Sequence, residues 1–211
     1  MKKIFYITAL FCAVFLFGCT EKVSVSHISD DSILLSVQSR PGKSLDTMIS
    51  SLMPGVPHLI DKDEAHAAVV FHGGNNVSVK TEGKAGFLLD ATFSAKKKNA
   101  LSPLFEVSAD GKTFSLTLSK ETITQFLSLL PEDAFEYTEL LIAPVFTGEK
   151  MSASEYSDTL AAVYGEESAK EMREAKIEFS VTSKSGVKQT LNVPLSDILT
   201  LQQTKKYTFD W

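Results

Sequence analysis

Leu104-Phe105-Glu106-Val107-Ser108-Ala109-Asp110-Gly111-Lys112-Thr113-Phe114-Ser115-Leu116-Thr117-Leu118 is the stretch on which the fold class turns. Phe105 and Val107 alternate with polar neighbours before Asp110-Gly111, and Phe114, Leu116 and Leu118 do so after it. Asp-Gly supplies the positive φ angles of a tight turn, so the pattern predicts an antiparallel hairpin. The period then changes. Ile123, Phe126, Leu127 and Leu130 stand at i, i+3, i+4 and i+7, one stripe of a helix. Pro131-Glu132-Asp133 reads as a fresh helix start, with proline where its missing N–H is harmless and acids at the positive end.

Ser152-Ala153-Ser154-Glu155 is a capping box, with Met151 and Tyr156 placed for the accompanying hydrophobic staple. Tyr164-Gly165 ends that helix and Glu166 to Ala175 form another. Strand alternation returns at Ile177, Phe179 and Val181 and, past Ser183-Lys184-Ser185-Gly186, over Val187 to Val193. Leu195 to Leu201 reads as a short helix behind Pro194, and Tyr207, Phe209 and Trp211 as a closing strand.

On the other side of the hairpin, Val23 to Ile28 and Ser32 to Ser39 read as strands about Ser29-Asp30-Asp31. Leu45 to Met53 reads as a helix capped by Ser44 and stopped by Pro54. His66 to Phe71 and Val77 to Thr81 read as a hairpin about Gly73-Gly74-Asn75-Asn76. Phe87, Leu89, Ala91 and Phe93 alternate along a longer strand. Strands thus flank a helical segment over 119–175, and the expectation is an α+β fold with a mostly antiparallel sheet. Both Phe105 to Ile123 and Phe179 to Ile198 run strand, turn, strand, helix, a faint sign of duplication.

Composition agrees with a globular chain: 44% of the 211 residues are apolar and 22% charged. The first 18 residues differ. Met1-Lys2-Lys3 is a short positive start, and in Ile4 to Phe17 only Thr8 is polar before Gly18-Cys19-Thr20-Glu21 ends the run. Crossing a bilayer takes about 20 apolar residues, so the stretch reads as an export signal. Leu16-Phe17-Gly18-Cys19 resembles the lipobox of bacterial lipoproteins, in the relaxed form found in spirochaetes. Phe17 departs from the usual small or β-branched residue. The resemblance covers the leader and the first mature residue, and implies removal of residues 1–18 and acylation of Cys19, palmitate being one such chain. Residues 19–22 are then a lipidated N-terminus with a short tether, and 23–211 a single α+β domain.

Cys12 leaves with the leader, so Cys19 is the one mature cysteine and no internal disulfide forms. From Cys19 onward 19 basic residues face 26 acidic ones, a formal charge of −7. That balance argues against nucleic acid as a partner, whose affinity comes from neutralised phosphates.

No catalytic constellation emerges. The histidines are His27, His58, His66 and His72. On a strand, His66 and His72 lie about 20 Å apart, too far for one zinc ion. Asp61-Lys62-Asp63-Glu64 lacks the glycine and spacing of a calcium loop, so no metal and no cofactor is expected. Ser94-Ala95-Lys96-Lys97 and Lys184-Ser185-Gly186 outline an S-x-x-K and K-T-G pair without the intervening S-x-N of penicillin-recognising enzymes. His72-Gly73-Gly74 lacks a nucleophile elbow and reads as a turn. Lys96-Lys97-Lys98 is the only basic triplet and reads as a solvated loop.

The sequence therefore points to a non-enzymatic, lipid-anchored protein of the bacterial cell envelope, facing the periplasm or the cell surface, with a binding or assembly role. Its expected partners are the membrane, through the N-terminal lipid anchor, and an envelope protein or an apolar ligand. The alternatives are a carrier or sensor of a small apolar ligand and an envelope hydrolase without a recognisable motif.

Overall fold

Glu21, Val23 and Val25 point to one side of the first strand while Lys22, Ser24 and Ser26 point to the other, and this alternation organises the larger of two sheets. The computed structural model describes residues 20–40, 42–44, 47, 58, 60–84, 86–97, 99, 101–127 and 143–211. Among them are nine strands: β1 (Thr20–Ser29), β2 (Ser32–Ser39), β3 (Asn75–Glu82), β4 (Gly86–Ser94), β5 (Phe105–Val107), β6 (Thr113–Leu118), β7 (Lys176–Thr182), β8 (Lys188–Pro194) and β9 (Lys205–Asp210). Six helices accompany them: α1 (Lys62–Phe71), α2 (Lys120–Leu127), α3 (Pro144–Thr147), α4 (Ala153–Tyr164), α5 (Glu166–Glu174) and α6 (Leu195–Leu199). The fold is α+β.

The larger sheet runs β3-β4-β2-β1-β7-β8 and the smaller β5-β6-β9. Only β1 and β7 pair in parallel; the other six pairings are antiparallel. Parallel partners need a long crossover. The chain between β1 and β7 supplies one, carrying β2 to β6 and helices α1 to α5. The inward rows of the large sheet (Val23, Val37, Leu89 and Phe179; Val25, Leu35, Ala91 and Val181) are buried. They share one core with Phe114 and Leu116 of the small sheet and with Tyr156, Leu160 and Met172 of α4 and α5.

The helical segment stands where the periodicity places it. Ser152 caps α4: its Oγ accepts from Glu155 N at 3.3 Å, and Glu155 Oε2 accepts from Ser152 N at 2.8 Å. Gly165, with φ of 85°, separates α4 from α5. Of the predicted helix at 45–53 only Thr47 lies among the described residues; it is helical, as are Lys43 and Ser44, so Ser44 is not the cap expected of it. The start at Pro131 and the side chains of Phe126, Leu127 and Leu130 lie outside the described residues.

Three expectations are corrected. His66 to Phe71 is not a strand but the second half of α1. Asp61 Oδ1 accepts from Asp63 N and Glu64 N, at 2.9 and 3.1 Å, and Asp63 and Glu64 occupy the first turn. Ala65, Ala68 and Val69 are buried at i, i+3 and i+4. The chain then turns into β3 through Gly73, at φ of 94°, and Gly74, where a Cβ would lie 2.5 Å from Val69 Cγ1. Second, the Asp110-Gly111 connection is wider than a two-residue turn. Ser108 N donates to Thr113 O, Gly111 N donates to Ser108 O, and Ser108 Oγ accepts from Thr113 N. Third, Thr20 to Lys22 are not a tether. They belong to β1 and pair with Lys176 to Glu178 of β7. The two hairpin–helix units of the suspected duplication, β5-β6-α2 and β7-β8-α6, sit in different sheets.

Candidate functional site at the N-terminal end of the sheet

Cys19 lies outside the described residues, but it is bonded to Thr20, so its Cα is about 3.8 Å from that of the first residue of β1. The N-terminal end of β1 is therefore the end of the sheet next to the predicted acylation site. The same end collects the last residues of β2 and β3, the first of β4 and β7, and the last of β8. Lys22 faces Gln38 on one side and Glu178 on the other, Thr20 faces Lys176, and Glu82 faces Gly86.

Strand alternation turns Glu21 inward, in line with Val23 and Val25, and leaves it 1% exposed. Ser39, also buried, donates its Oγ to Glu21 Oε1 at 2.8 Å. Oε2 has no hydrogen-bond partner among the described residues. Burial pushes this carboxyl up to about 9, against the weaker opposing pull of the Ser39 hydrogen bond. Glu21 is thus a neutral acid at pH 7. Sequence reading passed it over because the strand was begun at Val23, although the alternation Glu21-Val23-Val25 was the signal.

The outward side of this end is charged. Lys22, Lys43 and Lys176 are exposed, and Arg40 Nε binds Glu82 Oε2 at 2.9 Å across the top of β4. Ser44 N donates to both carboxylate oxygens of Glu171 at 2.9 and 3.2 Å, tying the chain after β2 to α5. His58 Nδ1 lies 2.7 Å from Gly83 O in the β3–β4 turn. Further along the same face, Ser78, Asp90, Ser36, Ser24, Ser180 and Thr190 form one row of short polar side chains across all six strands.

The remaining sequence candidates are dispersed. His66 and His72 are six residues apart along α1 and its cap, about 9 Å along the axis, instead of 20 Å along a strand. His27 is at the far end of β1, its ring edge-on to Trp211 at 5.5 Å. Among the described residues no three His, Cys, Asp or Glu side chains gather closely enough to hold a metal ion. Ser94 Oγ accepts from Lys96 N and Lys97 N, closing a turn, and Lys96 binds Asp31. Lys184 Nζ binds Asp30 Oδ1 at 2.8 Å. Ser94 and Lys184 thus sit on strand ends separated by the intervening β2 and β1. His72-Gly73-Gly74 is the end of α1, where burial holds the His72 imidazole below its ordinary value. Phe87, Phe93, Phe114, Phe179 and Phe209 belong to the core. No helix among the described residues is long and apolar enough to cross a membrane. No protein-family model matches the chain, and no curated protein is similar to it.

Proposed function

We propose that the chain is a lipid-anchored protein of the bacterial cell envelope, acylated at Cys19 and working by binding or assembly and not by catalysis. The observation that carries this reading is the junction. A positive start and a fourteen-residue run with a single polar residue lead to Gly18-Cys19, and the first strand begins at the next residue, Thr20. Acyl chains on Cys19 would anchor the protein at about 0.8 kcal/mol per buried methylene. With Glu21 already in the core, the domain would be held against the bilayer surface with no free linker, its strands starting at the headgroups.

The test is metabolic labelling with a fatty-acid analogue, comparing wild type with Cys19→Ser. Wild type is expected to take label and sediment with membranes. The variant is expected to take none and to appear unprocessed or soluble. Equal labelling of the two would sink the assignment.

A further inference from the structure

We propose that the anchor-proximal end of the large sheet is a lipid-facing surface that rests on anionic headgroups of the membrane holding the anchor. The inference rests on the lipid-anchored reading above and adds to it an orientation and a lipid preference.

Position comes first. Thr20 is paired with Lys176 in the last row of the sheet, one residue from Cys19. Anything anchored through Cys19 holds Thr20 about 4 Å from the anchored residue and Lys176 one strand spacing, about 5 Å, further on, comparable with the roughly 8 Å over which a charged surface acts at physiological salt.

Charge comes second. The last two rows carry Lys22, Lys80, Arg40 and Lys176 against Glu82 and Glu178. These six groups sum to +2 in a mature sequence of formal charge −7, so the rest of that sequence carries the whole acidic excess. Arg40 and Glu82 pair with each other and cancel, which leaves Lys22, Lys80 and Lys176 against Glu178. Glu21, directly under this surface, adds no negative charge at neutral pH because it is buried with its proton. An anionic leaflet attracts each such lysine or arginine by about 1 kcal/mol and repels the acidic remainder. Both effects stand the strands upright on their basic end. Lys96 and Lys97, part of the triplet that sequence reading singled out, are at the opposite end of β4, and Lys96 is taken up by Asp31.

The experiment uses the full-length acylated protein reconstituted in vesicles of phosphatidylcholine alone or with about a third phosphatidylglycerol. Lysines are labelled with a membrane-impermeant amine reagent and quantified by mass spectrometry, which also reports the acyl chains on Cys19. Lys22, Lys43 and Lys176 are expected to be labelled at least about threefold less on the anionic vesicles, an effect that high salt reverses. Lys112 and Lys188, remote from the anchor, are expected to be unchanged and serve as internal controls for folding. An Arg40→Glu, Lys176→Glu variant should lose the protection of Lys22 and Lys43 while remaining acylated. Equal labelling on both vesicles, with Cys19 acylated, overturns the lipid-facing surface and leaves the anchored reading standing. An unmodified Cys19 in the processed protein overturns both.

Discussion

Glu21 is the residue whose ionisation the fold most strongly opposes. Its carboxyl holds a proton up to about 9, whereas a free glutamate gives it up near 4.5. Between those values the folded state binds more protons than the unfolded chain, so stability falls as pH rises through that window. The slope approaches about 1.4 kcal/mol per pH unit. Glu155 and Asp110 move the other way, held below their ordinary values chiefly by the Ser152 amide and the Ser108 hydroxyl respectively. What they contribute is lost only as pH falls through the acidic range, so they drop out of a comparison made above pH 5. Glu21→Gln keeps the shape and the Ser39 hydrogen bond but cannot ionise. Urea unfolding at pH 5 and pH 8 should show the variant gaining on wild type by up to about 4 kcal/mol across the interval. Parallel pH dependences for the two proteins would mean that Glu21 is solvated in solution.

At the level of elements, local chemistry decided most of what was legible. The Ser152–Glu155 box, Gly165 and the alternations at Phe87 to Phe93 and Ile177 to Val181 are written in contiguous residues, and the structure follows them. His66 to Phe71 misled because Ala-Ala-Val-Val fits either period; the deciding signal was the cap, Asp61, outside the window being read. Pairing order was not legible at all. β1 lies between β2, a turn away, and β7, some 150 residues on, and only the completed core selects that neighbour. In the candidate site, Cys19 stands out as a contiguous lipobox-like pattern, whereas Lys22, Arg40 and Lys176 come to one end of the sheet only through strand order. The cap makes a testable claim about α1. Asp61→Ala removes the acceptor for two amides and should cost about 1 kcal/mol in chemical denaturation, while Asp61→Asn, which retains an oxygen there, should cost much less. Indistinguishable midpoints for Asp61→Ala and wild type would show that α1 is held by its buried face alone.

At the scale of the whole molecule, the last strand joins the two sheets. β9 pairs antiparallel with β6 from Thr113–Asp210 to Leu118–Lys205, and Phe209 is buried against Phe114. Trp211 packs on Phe114 with ring centroids 5.2 Å apart and meets His27, from β1 of the large sheet, edge-on at 5.5 Å. A second bridge is polar. The Gln189 side chain of β8 donates to Asp210 O at 3.1 Å and accepts from Asp210 N at 3.3 Å, standing in for a strand partner. Trp211 N donates to Lys112 O at 2.7 Å, securing the end of the chain to the β5–β6 loop. Removing Tyr207 to Trp211 therefore strips β6 of one neighbour, uncovers Phe114 and opens the contact between sheets. Large core truncations cost about 3–5 kcal/mol, and half-buried Tyr207 and Trp211 place this deletion at more than about 2 kcal/mol. Thermal and urea melts of the truncated protein measure it. The structure also separates two contributions: Gln189→Ala removes the polar bridge alone and should cost about 1 kcal/mol. A truncated protein that melted with wild type would place β9 outside the cooperative core, leaving its aromatic face free for recognition.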